Sequence, residues 1–199
     1  MQTWSRRWHP WSENSSLPDV ATLLATLYTI GHSTRTLDEL VLALHSHDIE
    51  TLVDIRAFPM SRRLPHFNRE SLEQSLPAMG QRYVWMKALG GYRKATRQDS
   101  PHTALRNASF RNYADYALTP EFRLAMGELL QIADASRTAY MCAERVYFRC
   151  HRMIVSDWLV AQWHEVLHID DEGPTRPHKL LAEARVVDGQ VIYRGDNLF

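Results

Sequence analysis

The chain has 199 residues, of which 45% are apolar and 23% are charged, and its acidic and basic residues are equal in number. This composition predicts a globular protein with one domain of ordinary size. No apolar run approaches the roughly 18 residues of a membrane span, and residues 1–16 have no apolar core typical of a secretory signal. Two cysteines do not make a secreted disulfide framework. We therefore expect a cytoplasmic protein with reduced thiols and no membrane partner.

The positive charge is concentrated in one third of the chain. Residues 51–112 carry eleven Arg and Lys against four Asp and Glu, a net charge of +7, while the flanking segments come to −3 and −4. Twenty of the 23 basic residues are arginine, whose planar fork suits phosphate. A GC-rich genome explains that ratio equally well, but it does not explain the clustering. The clustering predicts a basic surface that faces an anionic substrate.

In chain order, residues 1–22 are rich in Trp, Ser and Pro and predict an N-terminal arm, and residues 23–199 predict a single α/β domain. Short apolar runs predict strands at residues 27–30, 51–53, 82–86, 138–141 and 165–169. Helices are predicted after Thr36, which forms a capping box with Glu39, from Asn68 or Ser71 to near Gly80, after Thr119, and over residues 153–163. A polar loop is expected to extend to about residue 109, and the Asp188-Gly189 turn predicts a C-terminal hairpin.

Strands that alternate with helices indicate an α/β fold, a mostly parallel sheet of about five strands with helices on both faces plus the C-terminal hairpin. The carboxyl ends of parallel strands meet at one edge of such a sheet, which is where ligands bind. Polar residues follow these ends at His32, Asp54, Arg56, Arg93, Cys142 and Glu144. We therefore expect these side chains to gather along one edge.

Several motifs occur in a familiar order. They are Thr29-Ile30-Gly31-His32-Ser33; Leu52-Val53-Asp54-Ile55-Arg56 with Pro59, Ser61, Pro65, Phe67 and Asn68; Leu89-Gly90-Gly91-Tyr92-Arg93; Cys142-Ala143-Glu144 with Cys150-His151-Arg152; and Pro177-His178-Lys179-Leu180. In this combination the sequence resembles, over roughly residues 28–195, the family catalogued as domain of unknown function 488. Residues 145–149, aromatic and arginine-flanked here, tend to be polar in that family. The resemblance supports the fold and the site, and it implies no particular reaction.

Both cysteines lie in one strand-to-helix connection, which suggests a metal site at Cys142, Cys150 and His151, with zinc as the metal. We do not favour a cofactor or metal from the sequence alone, because adjacent residues on a helix point about 100° apart. Buried, inert thiols are the ordinary alternative. Cys142 as a nucleophile in a phosphate-binding loop is a further one, although such loops are shorter and contain glycine.

The same connection offers an anion site. Arg149 and Arg152 lie close to the N-terminus of the predicted helix, whose dipole and free N–H groups favour negative charge. The alternative is that Arg152 forms a buried ion pair with Glu144 or Asp54.

We hypothesise an enzyme that acts on a nucleotide or nucleic acid, with glycosylase-like hydrolysis of a damaged or modified base as the favoured form. Asp54 and Glu144 would supply the carboxylate chemistry, and His32 would carry a proton. The predicted substrate- and phosphate-binding residues are Arg56, His66, Asn68, Gly90, Gly91, Tyr92, Arg93, Tyr147, Arg149 and Arg152. Tyr92 or Tyr147 is expected to stack on the extruded base. Release of a damaged base from labelled DNA is the test of this hypothesis.

Three alternatives stay open at this point. Asp54 and Arg56 also form an ordinary ion-pair pattern. The protein is alternatively a metal- or thiol-dependent small-molecule enzyme centred on Cys142, Cys150 and His151. It is otherwise a non-catalytic module that binds nucleic acid or another anion, in which case Asp54→Asn and Glu144→Gln would leave affinity intact. The sequence makes no prediction of the oligomeric state.

Overall fold

A computed structural model describes residues 24–195 of the chain. The predicted N-terminal arm, residues 1–22, lies outside the described residues. Five α-helices are present in the described part: α1 (Leu37–His45), α2 (Arg69–Ala78), α3 (Ala108–Ala117), α4 (Pro120–Ala135) and α5 (Arg152–Ala161). Within residues 24–195, no helix combines the length and the apolar composition needed to cross a membrane.

The strands form one six-stranded sheet and one hairpin. The sheet contains β1 (Thr26–Gly31), β2 (Thr51–Asp54), β3 (Arg82–Trp85), β4 (Thr138–Cys142), β5 (Glu165–Ile169) and β6 (Arg176–Pro177) in the order β3-β2-β4-β1-β5-β6. The first five strands of that order are parallel, and β6 pairs antiparallel to β5. β7 (Ala184–Val187) and β8 (Gln190–Tyr193) make the antiparallel C-terminal hairpin. The predicted α/β fold is confirmed.

Neighbouring residues of the central strands point to opposite faces of the sheet, so each strand is buried on both sides. In β2, Leu52 packs under α1 and α2, and Val53 packs under α3, α4 and α5. In β4, Ala139 and Tyr140 divide in the same way. The sheet is therefore packed between two apolar layers, and the polar residues of the site lie at the ends of its strands.

Two elements differ from the sequence-based prediction. Residues 108–117 form α3, where we predicted a polar loop to about residue 109 and no helix before Thr119. Asn107 caps the segment by accepting hydrogen bonds from the Ser109 and Phe110 amides at 2.8 and 3.3 Å. The helix then buries Tyr113 against the core. The two-residue strand β6 was not predicted either, since it is too short to carry a periodic pattern.

Candidate functional site

The carboxyl ends of β1, β2 and β4 lie side by side in the centre of the sheet, and hydrogen bonds join the residues that follow them. Arg56, beyond β2, donates through Nη1 to His32 Nε2, beyond β1, at 3.1 Å. The His32 amide donates to Cys142 O in β4 at 3.0 Å. His151, just before α5, donates from Nε2 to Ile55 O at 3.1 Å. One sheet edge thus brings together His32, Arg56, Cys142 and His151.

Cys142, Cys150 and His151 form a compact cluster at this edge. His151 Nδ1 lies 3.5 Å from Cys150 Sγ and 3.9 Å from Cys142 Sγ, and the three ligand atoms lie within 4.8 Å of one another. Because His151 Nε2 carries the proton that it donates to Ile55 O, Nδ1 presents a lone pair to both sulfurs. These three residues could hold a metal ion.

The backbone explains why Cys150 and His151 face the same point. Cys150 is extended, with φ −131° and ψ 151°, and α5 begins only at Arg152. The two side chains therefore do not follow the 100° rotation of a helix that argued against a shared metal. Our objection to a metal at these residues was wrong on this point.

The two thiols are linked electrostatically. The hydrogen bond from Cys142 lowers the pKa of the Cys150 thiol well below its usual range, against the opposing effect of burial. The charge of Arg152 lowers the pKa of Cys150 further. Donating that hydrogen bond, together with burial, raises the pKa of Cys142. Of the two thiols, Cys150 is therefore the more easily deprotonated, and it lies at the N-terminal side of α5, where negative charge is favoured.

A cleft of about 230 Å³ opens onto this cluster. Its lining residues are Gly91, Ser109, Phe110, Tyr113, Glu144, Arg149, Cys150 and His151. Glu144 and Arg149 are exposed, and the Glu144 carboxylate accepts a hydrogen bond from the Val146 amide at 3.2 Å. The cleft therefore combines a carboxylate, a guanidinium and the Cys–His cluster within a space the size of a small molecule.

Glycines allow the backbone to approach this cluster closely. A Cβ added at Gly91 would overlap His151 Nδ1, and one added at Gly31 would overlap Glu144 O. A Cβ at Gly90 would come within 2.6 Å of Ala57 Cα, so Gly90 is required by packing rather than by contact with the cleft.

Asp54 does not face the cleft. Its side chain is 0% exposed and accepts hydrogen bonds from Arg56 Nε at 2.8 Å and from Tyr83 Oη at 2.7 Å. It also accepts from the Arg56 amide at 3.0 Å. Burial, followed by the Asp54 charge, raises the pKa of Tyr83. The arrangement is the local ion pair that we left open as the alternative to a catalytic role.

His32 is a buried and neutral ring. Burial, followed by the charge of Arg56, lowers its pKa to about 4. Its Nδ1 lies 3.0 Å from Ser33 O, and its ring stacks on Phe67 with a centroid distance of 4.1 Å. Because Nε2 can only accept from Arg56, Nδ1 is the protonated nitrogen. His32 therefore has no free nitrogen with which to transfer a proton in this structure.

Arg152 supports the loop between β4 and α5 and does not line the cleft. It is 1% exposed and donates to Thr29 Oγ1 at 3.1 Å and to the carbonyl oxygens of Glu144 and Arg145. Within residues 24–195 it has no carboxylate partner within ion-pair distance. It is therefore neither the phosphate ligand nor the buried ion pair that we predicted, because the nearest acceptors are backbone carbonyls.

The other predicted binding residues lie apart from the cleft lining. Arg93 lies over the Tyr116 ring at 3.8 Å, and Tyr147 stacks on His168 at 3.6 Å. His66 contacts Arg35 O at 3.1 Å, and the Asn68 side chain accepts from the Ser61 amide at 2.6 Å. These contacts position loops around the site. Tyr92 is exposed and directly follows Gly91, which lines the cleft.

A second buried network was not predicted. Asp157 accepts from His178 Nε2 at 2.9 Å and from Tyr193 Oη at 2.8 Å, and His178 Nδ1 lies 2.9 Å from His168 Nε2. Burial, followed by the neighbouring His178, lowers the pKa of His168 to about 3. The available signal was the Pro177-His178 motif, but the partners of His178 lie in α5 and β5 and share no local pattern with it. The cleft residues Phe110 and Tyr113 were not predicted either, because they belong to α3, which we did not predict.

One comparison with known proteins gives a match. Residues 36–159, well over half of the chain, match the model of the family described as Domain of unknown function DUF488. The chain belongs to this family. Searches of curated proteins and of solved structures found no match. The matched segment contains β2 to β4, the Cys–His cluster and most of α5, so the DUF488 match covers the candidate site.

Proposed function

We propose that this protein is a zinc-dependent hydrolase whose metal is bound by Cys142, Cys150 and His151. The observation that carries the proposal is the orientation of His151: Nε2 is fixed by Ile55 O, and Nδ1 faces both sulfurs. Histidines that bind metals in proteins usually donate their other ring N–H in this way, which fixes the tautomer and orients the ring.

The distances in the cluster match those of a tetrahedral zinc site. Bond lengths of about 2.3 Å for Zn–S and about 2.0–2.1 Å for Zn–N place sulfur and nitrogen ligands about 3.6 Å apart. The corresponding distances here are 3.5 and 3.9 Å. Three protein ligands are typical of catalytic zinc, since a structural site uses four. A zinc ion held by these three residues would keep a fourth position for water or substrate.

The cleft supplies the remaining groups for hydrolysis. Zinc lowers the pKa of its bound water to about 7 and polarises a substrate carbonyl or amidine. Glu144 is the carboxylate of the cleft lining, and it can take a proton from the attacking water and deliver it to the leaving group. The Arg149 side chain forms no hydrogen bond or ion pair with the described residues, so its guanidinium is available to an anionic group of the substrate.

Metal analysis of protein purified without a His-tag tests the site. We expect about one zinc per chain in the wild type and loss of the metal in Cys142→Ser, Cys150→Ser and His151→Gln. His45→Gln, at an exposed position of α1, is the matched control and should keep the metal. Wild-type protein without stoichiometric zinc, or cysteine variants that retain it, would contradict the proposal.

A glycine substitution tests the geometry without removing a ligand. In Gly91→Ala the added methyl group would occupy the space of His151 Nδ1, so we expect zinc to be lost from a folded protein. Gly127→Ala is the control, since a Cβ at that position in α4 has no atom within 4 Å. Circular dichroism would verify that both variants fold. Full zinc occupancy in Gly91→Ala would show that this ring position does not matter.

Glu144→Gln tests the catalytic part. We expect this variant to keep its zinc and to lose turnover in hydrolysis assays on amides, esters and amidines that carry an anionic group. Turnover by a zinc-free protein would instead favour the thiol-dependent alternative, for which the lowered pKa of Cys150 is the supporting observation. The glycosylase form stays a prediction, and the burial of Asp54 leaves it one carboxylate at the cleft rather than two.

A further inference from the structure

We infer that the exposed rings of Phe58 and Tyr92 form a base-stacking platform beside the cleft and that the substrate class is single-stranded nucleic acid. This inference deepens the proposed function, because it names what the hydrolytic site would act on. It rests on the position of the two rings, on their exposure, and on the charge of the segments that carry them.

The two rings are in contact with each other, and Tyr92 directly follows Gly91, which lines the cleft. Phe58 and Tyr92 are 66% and 65% exposed, and their ring centroids lie 5.8 Å apart with an interplanar angle of 60°. The residue before each ring has a fixed position. Ala57, before Phe58, packs against Gly90, and Gly91, before Tyr92, lines the cleft. Because the rings are tilted rather than stacked on each other, their faces remain open to another planar group.

Large exposed apolar side chains usually indicate a binding surface when they are grouped. Met60, 78% exposed, lies two residues after Phe58, and its amide donates to Phe58 O at 2.9 Å. Nearby, the Trp85 indole donates to Arg56 O at 2.9 Å, and the Arg69 guanidinium lies 4.4 Å from the centre of its ring. At the carboxyl end of the sheet, aromatic rings such as Trp85 thus lie beside arginine side chains such as Arg69.

The charge of the same segments selects an anionic occupant. Residues 55–69 and 86–98 carry four Arg and Lys each and no Asp or Glu. Arg62, Arg63 and Lys94 are exposed and form no ion pair or hydrogen bond with residues 24–195. Their charge therefore remains available to a partner in solution. Strong positive charge argues against an uncharged apolar partner, which would not need it.

Single-stranded nucleic acid satisfies both features at once. Its phosphates pair with a basic surface, and its unpaired bases stack on exposed aromatic rings. A duplex hides its base faces, so it would use the cations and leave Phe58 and Tyr92 exposed. A stacked base at this platform would place the next group of the chain at the opening next to Gly91 and His151.

Fluorescence anisotropy with a labelled oligothymidine of about 12 nucleotides, a length within the range of single-strand sites, tests the inference. We expect salt-dependent binding that Phe58→Ala and Tyr92→Ala each weaken by about tenfold. Arg62→Ala combined with Arg63→Ala should reduce the slope of log affinity against log salt by about 1.4, because each lost phosphate contact contributes about 0.7. All four positions are exposed, so the variants should fold.

Trp163→Ala is the matched control. Trp163 is 84% exposed and precedes β5, at the opposite edge of the sheet, so its removal should leave the affinity unchanged. Failure of the wild type to bind at low salt would overturn the inference, as would unchanged binding in Phe58→Ala and Tyr92→Ala. Equal affinity for inorganic polyphosphate of the same charge would show attraction without stacking and would also overturn it.

The outcome is separable from that of the proposed function. Cys150→Ser removes a proposed zinc ligand and leaves the platform intact, so it should bind the oligonucleotide as the wild type does. Binding without zinc or turnover would refute the hydrolase and support the platform. Zinc and turnover without oligonucleotide binding would refute the platform and leave the hydrolase standing.

Discussion

At the residue scale, Asp54 shows how a predicted catalytic carboxylate becomes a structural one. The sequence correctly indicates that Asp54 ends a strand at the edge where the site lies. It does not reveal that Arg56 folds back onto it or that Tyr83, from the neighbouring strand, completes its hydrogen bonds. The first contact is local, but the second depends on the pairing of β2 with β3.

Asp54→Asn should therefore destabilise the protein rather than act on chemistry. Removing the charge leaves the nearly buried Arg56 guanidinium without its counterion, and breaking a buried pair in this way costs about 3–5 kcal/mol. Urea denaturation of the two proteins measures the loss, and zinc content per folded chain should be unchanged. Glu144→Gln, at an exposed position, is the control and should change stability little. A stable Asp54→Asn protein with abolished turnover would restore Asp54 as a catalytic residue.

At the element scale, the start of α5 decides whether the Cys–His cluster can exist. The predicted start at residue 153 was one residue late, and the observed extended conformation of Cys150 has no signal in the sequence. Helix α3 was different, because its signal was present. Asn107 is a good capping residue, and Phe110, Tyr113, Ala114 and Ala117 follow at helical spacing. The predicted loop ended near residue 109, and we predicted no element between there and Thr119.

The Arg152 side chain joins the connection between β4 and α5 to β1. Arg152 donates to the carbonyl oxygens of Glu144 and Arg145 and to Thr29 Oγ1 in β1. Hydrogen bonds from a charged donor contribute about 1.5–3 kcal/mol each, so losing those to the loop should ease its opening by a factor on the order of 10 or more. Amide hydrogen exchange of residues 143–149 in Arg152→Met measures this change.

Arg137→Met is the control for that experiment. Arg137 also holds backbone and side-chain oxygens, donating to His47 O at 2.8 Å and to Tyr28 Oη, but it lies just before β4, at the opposite edge of the sheet. Its loss should leave exchange of residues 143–149 unchanged. Unaltered exchange in Arg152→Met would mean that the loop is held by its other contacts.

At the scale of the whole molecule, the layered architecture could be predicted because it follows from local patterns. Apolar strands that alternate with capped helices predict a sheet covered on both faces, and the two apolar layers confirm it. The buried polar networks could not be predicted. Asp157 lies in α5, His168 in β5 and His178 in the loop after β6, and only the fold brings them within hydrogen-bond distance.

These networks make the stability of the molecule depend on pH. His32 and His168 are buried in different parts of the fold, and their pKa values are lowered from 6.5 to about 4 and about 3. Below pH 6.5 the unfolded chain binds protons at both rings while the folded chain does not. The free energy of unfolding must therefore decrease as the pH falls from about 6.5 to about 4, with a limit of about 1.4 kcal/mol per pH unit for each histidine.

Urea denaturation at several pH values between 7 and 4.5 measures this decrease as an order-of-magnitude test. His168→Gln and His32→Gln each remove one histidine that takes up a proton on unfolding. Each should therefore weaken the dependence of the free energy of unfolding on pH, even though each lowers stability at pH 7. His45→Gln, on the surface of α1, should leave the slope unchanged. A slope that persists in both buried variants would show that the histidines titrate in the folded protein as they do in the unfolded chain, and that their burial does not hold them neutral.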